Sequence, residues 1–273
     1  MEAKAFTVDR LRLPDEEPTL RSPVIDGIVR RGEVCNWIAA PKTGKTWLVY
    51  TVLASMISGK PWCGHRVTPG KCLLIDNELH PETGVARLWR VFHQARIPSE
   101  AVEAQVDVAW VRGRRGSLED LEATVRAAGR LRYDLIVLDA LYRFLPQGAE
   151  ENNNADMTAV YNHLDAIADA GDCAILCVHH ATKGGQAGKE TMDVGAGAGA
   201  IGRAADGHVV FLRHREDGCV TMRSKTRSFR GGPDKVLEVD WQHPRVWTRD
   251  DLKPDDLWVP EPPKSKKASK ASD

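Results

Sequence analysis

The sequence predicts an α/β fold, a mainly parallel sheet flanked by helices with an antiparallel extension near its C-terminal end. Three observations carry that prediction. Short runs that are apolar throughout, such as KCLLID and LIVLD, fit strands buried on both faces. Helix-length stretches separate these runs, which is the spacing of βαβ units. After residue 207 the apolar runs follow one another too closely for helices, so they read as strands joined by turns.

Residues 1–27 are polar and proline-containing and read as an extended lead-in to one domain over 28–248. Within it, Val34–Ala39 is the first strand and Lys45–Ser58 a helix. Lys71–Asp76 is a strand, followed by a helix from Pro81 to Ala95, with proline tolerated in the first turn. Val106–Val111 is a strand and Leu118–Leu131 a helix with Ser117 as its N-cap. Leu135–Asp139 is a strand, Met157–Ala170 a helix and Ala174–Val178 a strand. His208–Arg213, Cys219–Ser224 and Val236–Val239 form the antiparallel extension. Residues 249–273, rich in proline, serine and lysine, are expected to form a disordered tail.

The 273 residues carry 38 basic and 38 acidic side chains, a formal net charge of zero. No global basic field advertises nucleic acid, so any such contact has to be local. The six cysteines include no CxxC pair and sit largely in apolar runs such as CAILCV, as small buried hydrophobes do. The N-terminus MEAKAFTVDR lacks the apolar centre of a signal peptide. No apolar stretch reaches the roughly 20 residues that span a bilayer. A cytoplasmic protein with no membrane contact is the expectation.

The segment AAPKTGKT, Ala39 to Thr46, links the first strand to its helix and follows the phosphate-binding pattern G-x-x-x-x-G-K-[ST]. Gly44 permits a backbone turn that aims successive N–H groups at phosphate. Lys45 supplies a charge to the β- and γ-phosphates, Thr46 offers a hydroxyl to Mg²⁺, and the helix N-terminus adds positive potential. The pattern's first glycine is replaced by Ala39. The predicted contact set is Ala39, Ala40, Pro41, Lys42, Thr43, Gly44, Lys45, Thr46 and the adjoining Trp47, with ATP and Mg²⁺ as cofactors. Asp139, closing the LIVLD strand, is the predicted second metal ligand. Glu78, two residues beyond Asp76 in LLIDNELHPE, is placed to orient and deprotonate water. Asp76 is the alternative base, and either acid also fits an N-cap for the helix at Pro81.

In order, the glycine–lysine turn, IDNE, LIVLD and ILCVHHATKG resemble the RecA-like P-loop ATPases, over about Ile28 to Val239. Within them the chain is most similar to the RepA-type and DnaB-type hexameric replicative helicase ATPases, a group of AAA family ATPases. The resemblance makes Glu78 the catalytic glutamate and puts His179, or its neighbour His180, where the family senses the γ-phosphate. AGAGAIGRAADGHVVFLR and SKTRSFRGG resemble the segment before a late strand and the following K-x-R element. Carried over, Lys225 and Arg227 reach the ATP of a neighbouring subunit, stabilising charge on the transferred phosphoryl group. In such rings the glycine-rich stretch Lys183–Ala200 lines the central channel, where Lys183 and Lys189 would contact single-stranded DNA. Arg143–Asp156, with GAEENNN, is an acidic second loop that repels phosphate.

The resemblance implies a homo-hexamer or other ring acting as an ATP-driven DNA helicase or translocase in replication or recombination. The neutral charge keeps an alternative open, an ATP-dependent loader or regulatory switch that recruits other proteins without unwinding. A small-molecule kinase would need an arginine-bearing lid and an acceptor pocket, and no segment resembles either.

Overall fold

The computed structural model describes residues 10–39, 43–114, 116–181 and 199–259. In chain order the strands are β1 (Pro23–Ile25), β2 (Val29–Arg30), β3 (Val34–Ala39), β4 (Cys72–Asp76), β5 (Val106–Trp110), β6 (Leu135–Asp139), β7 (Ala174–His180), β8 (Gly207–Arg213), β9 (Cys219–Thr226), β10 (Lys235–Asp240) and β11 (Arg245–Thr248). The helices are α1 (Lys45–Ser58), α2 (Pro81–Gln94), α3 (Ser99–Gln105), α4 (Leu118–Ala128), α5 (Asn154–Gly171) and α6 (Gly199–Ala204). A short 3-10 turn covers Leu141–Phe144.

Nine strands form one sheet in the order β11-β10-β9-β8-β3-β7-β6-β4-β5. From β8 to β5 every neighbouring pair is parallel. The pairs β8–β9, β9–β10 and β10–β11 are antiparallel, which is the expected extension. β3 lies between β7 and β8, so connections leave it toward both sides of the sheet. That switch in direction opens a crevice at the C-terminal ends of the strands.

Alternate residues of the central strands serve two cores. Cys72, Leu74, Leu135, Val137, Leu176 and Val178 pack with α1 and α2. Leu73, Ile75, Ile136, Leu138, Ile175 and Cys177 pack with α4 and α5. Both faces are covered, which is why these strands read as unbroken apolar runs.

Local chemistry sets the helix starts. Ser117 accepts from Asp120 N and the Asp120 carboxylate accepts from Ser117 N, a capping box that confirms the predicted cap of α4. α5 begins three residues before the predicted Met157, because the Asn153 side chain accepts from Ala155 N and Asp156 N. β7 runs two residues beyond Val178 and carries both histidines at its end. The tail is corrected at its start. Residues 249–259 pack on the sheet rather than leaving it, with Leu257 buried and bridged to His214. Thr221 and His214 also bond the Pro254 and Lys253 carbonyls. Residues 260–273 lie outside the described residues, as do Lys183 and Lys189.

Candidate functional site

The crevice collects side chains from α1, β4, β6 and β7. Gly44 sits at φ 85°, in the left-handed region that glycine enters without strain, and caps α1. A Cβ there would also lie 2.2 Å from the Trp241 indole, so the turn is crowded as well as bent. Ala39 ends β3 fully buried. Ala40, Pro41 and Lys42 lie outside the described residues, and Thr43 leads into the cap.

Lys45 Nζ folds back to donate to the Ala39 carbonyl at 3.0 Å and lies 3.3 Å from His180 Nδ1. Burial lowers its pKa, while Asp139 and Glu78 oppose that shift. One residue on, the Thr46 hydroxyl donates to Asp139 Oδ2 at 2.8 Å. Asp139 is almost wholly buried, and burial raises its carboxyl to about 7, helped by the Asp76 and Glu78 charges and opposed by Thr46 and Lys45. A hydroxyl beside a carboxylate, both hard oxygen donors, fits Mg²⁺, which completes its shell with phosphate and water. Among the described residues no group of three or more His, Cys, Asp or Glu side chains forms a metal site. That matches an ion held largely by its nucleotide.

Asp76 and Asp139 are register partners at the tips of β4 and β6. Asp76 Oδ1 accepts from the backbone N–H of Glu78 and Leu79, and its Oδ2 from the Tyr50 hydroxyl. Its carboxylate therefore shapes the turn that presents Glu78. Between them, Asn77 accepts from Ala140 N and donates to Ala140 O, both at 2.9 Å, tying the two strand tips together. Glu78 Oε1 lies 3.4 Å from His180 Nε2, and that contact holds its carboxyl below the usual range despite partial burial. Arg112 donates to the Glu78 carbonyl at 2.6 Å.

The two histidines point to opposite faces. His180 shares the α1 face with Val178 and meets Lys45 and Glu78. His179 lies in the core on the other face, its Nε2 3.1 Å from both the Tyr161 hydroxyl and Asn36 Oδ1. Burial drives its pKa down to about 3. The placement of His179 at the phosphate is corrected accordingly: strand alternation turns it away and brings His180 in.

Lys225 and Arg227 are not part of this crevice. Because β9 runs antiparallel, Lys225 pairs with His208 and Arg227 N bonds Asp206 O, toward the other end of the sheet. The Arg227 guanidinium donates to the carbonyls of Arg203 and Ala204, closing α6, and faces Asp206. Trp47 stands on α1 with Arg87 and Arg90 each 5.4 Å over its ring and the Trp241 ring 6.3 Å away. Trp241, Tyr50 and Asn77 have no counterpart among the residues singled out from the sequence. Tyr50 stands one helical turn after Thr46, a spacing that would have found it. Trp241 arrives from a distant turn that no local pattern reveals.

A family model described as an AAA domain matches residues 2–186, more than half the chain. The chain belongs to the AAA domain family. No curated protein matches it. Among solved structures, this AAA domain is similar to a crystallised ATPase domain, with a TM-score of 0.63 at 11% identity, covering 81% of this chain and 86% of that one. It is also similar to the RadB recombinase, with a TM-score of 0.57 at 14% identity, covering 81% of this chain and 92% of the other. The fold is that of a RecA-like P-loop ATPase. No helix among the described residues of this AAA domain is long and apolar enough to cross a membrane.

Proposed function

We propose that the protein is a cytoplasmic Mg-ATP-dependent ATPase that assembles as a hexamer or other ring and drives a DNA helicase or translocase. The observation that supports this best is the cluster of Lys45, Thr46, Asp139 and Glu78 at one crevice. Lys45 leaves the Ala39 carbonyl to bind the β- and γ-phosphates. Thr46 and Asp139 hold Mg²⁺, which supplies charge neutralisation on the phosphates when bound. Glu78 orients the attacking water and takes its proton. Trp47 and Trp241 offer aromatic faces beside the phosphate turn for the nucleotide base.

The ring follows from Arg227. Its backbone is level with Val34, through Asp206, whereas the phosphate turn begins at Ala39. Five residues of strand separate the two, roughly 16 Å, further than an arginine extends. Acting on ATP therefore requires a second copy, and single-stranded DNA is the proposed cargo of the assembled ring.

The test combines ATP hydrolysis, with and without single-stranded DNA, and strand displacement. DNA-stimulated turnover that Lys45→Ala abolishes is expected, and Glu78→Gln should bind ATP yet hydrolyse about 10²–10⁴-fold more slowly. Turnover indifferent to DNA would remove the motor. The net charge of zero favours one second reading, an ATP-dependent loader or switch. Nucleotide-dependent assembly without unwinding would select it.

A further inference from the structure

Lys45, His180 and Glu78 form a continuous line of contacts across the crevice. An ammonium group only donates, so His180 Nδ1, 3.3 Å from Lys45 Nζ, must accept. The ring proton is thereby assigned to Nε2, which faces Glu78 Oε1 at 3.4 Å. A neutral imidazole thus bridges a cation and a carboxylate. Both contacts are long for hydrogen bonds, so the bridge exchanges at low cost. The Tyr142 ring packs 5.9 Å from the imidazole, and Glu151 feels its charge from the loop beyond. Arg143, beside Tyr142, adds a positive charge toward Glu78.

We propose that His180 is a positioning residue that ties up Glu78 until Lys45 turns to a triphosphate. This rests on the reading of Lys45 as the phosphate ligand. When phosphate takes Lys45, Nδ1 loses the donor that fixes the ring's tautomer and orientation. The imidazole is then free to turn, and Glu78 is released to hold water. Until that moment a donor occupies the Glu78 carboxylate, which makes it a poorer base. The nucleotide-free protein is guarded against idle chemistry at an exposed carboxylate.

The experiment compares the full chain with His180→Ala and His180→Gln. It reads affinity for a non-hydrolysable ATP analogue and the carbon-13 NMR titration of Glu78. Glutamine preserves both functions of this tautomer, because its amide oxygen accepts from Lys45 and its amide nitrogen donates to Glu78. In nucleotide-free His180→Ala, Glu78 is expected to titrate higher than in the wild type. The analogue should bind roughly threefold tighter, the effect of releasing one weak hydrogen bond. His180→Gln should return both readings to wild-type values. Where His180→Ala fails to fold, His180→Asn replaces it, being long enough for Lys45 but short of Glu78. Unchanged titration of Glu78 in a variant that still binds the analogue overturns the lock alone. A wild-type chain that does not bind the analogue overturns the phosphate-turn reading and the lock together.

Discussion

Replacing Asp139 with asparagine separates what this carboxylate costs the fold from what it gives the site. In the folded protein burial raises its pKa from an ordinary 3.8 to about 7. The folded state therefore holds this proton more tightly than the unfolded chain, and stability falls as pH rises from about 4 to about 7. Between pH 5 and pH 8 the loss amounts to roughly 2–3 kcal/mol. Asparagine retains an oxygen to accept from Thr46 Oγ1 and carries no charge. Urea unfolding in a chelating buffer at both pH values is the assay. On going from pH 5 to pH 8, Asp139→Asn should gain roughly 2–3 kcal/mol over the wild type, while magnesium-dependent hydrolysis disappears. Parallel pH profiles for the two proteins would refute the argument that Asp139 is held against its preferred protonation state.

Gly44→Ala places a methyl group into the Trp241 ring at a left-handed φ, and should cost about 1–3 kcal/mol and abolish nucleotide binding. Adding Trp241→Ala should recover part of the stability, measured by thermal unfolding. Tyr161→Phe removes the hydroxyl shared by Asn36 and His179 in the core and should cost about 1–3 kcal/mol in urea, with nucleotide affinity unchanged. Mixing Arg227→Ala with Lys45→Ala should restore hydrolysis above either variant alone, since each copy supplies what the other lacks. No recovery at any mixing ratio would end the role of Arg227 in trans.

Much of this was legible in the sequence, for physical reasons that also mark where legibility stops. The bounds of β3, α1 and β6 follow from apolar runs broken by a glycine turn or an acid. The strand-terminal acids Asp76 and Asp139 stand out because charge rarely ends such a run without purpose. The orientation of His179 and His180 is different in kind. A strand buried on both faces is apolar at every position, so hydropathy carries no phase to say which histidine meets α1. α3 and α6 are too short for a periodic signal, with seven and six residues. Trp241 reaches the phosphate turn from a distant hairpin, and only the folded sheet brings the two together.

The reversal of direction between β8 and β9 has a kinetic consequence. It delivers Lys225 and Arg227 away from the end where Ala39 gives way to the phosphate turn. A solitary molecule therefore carries both the lock and the key of its chemistry but wears them at opposite ends. Turnover per chain should rise with protein concentration, and dilution alone should silence it.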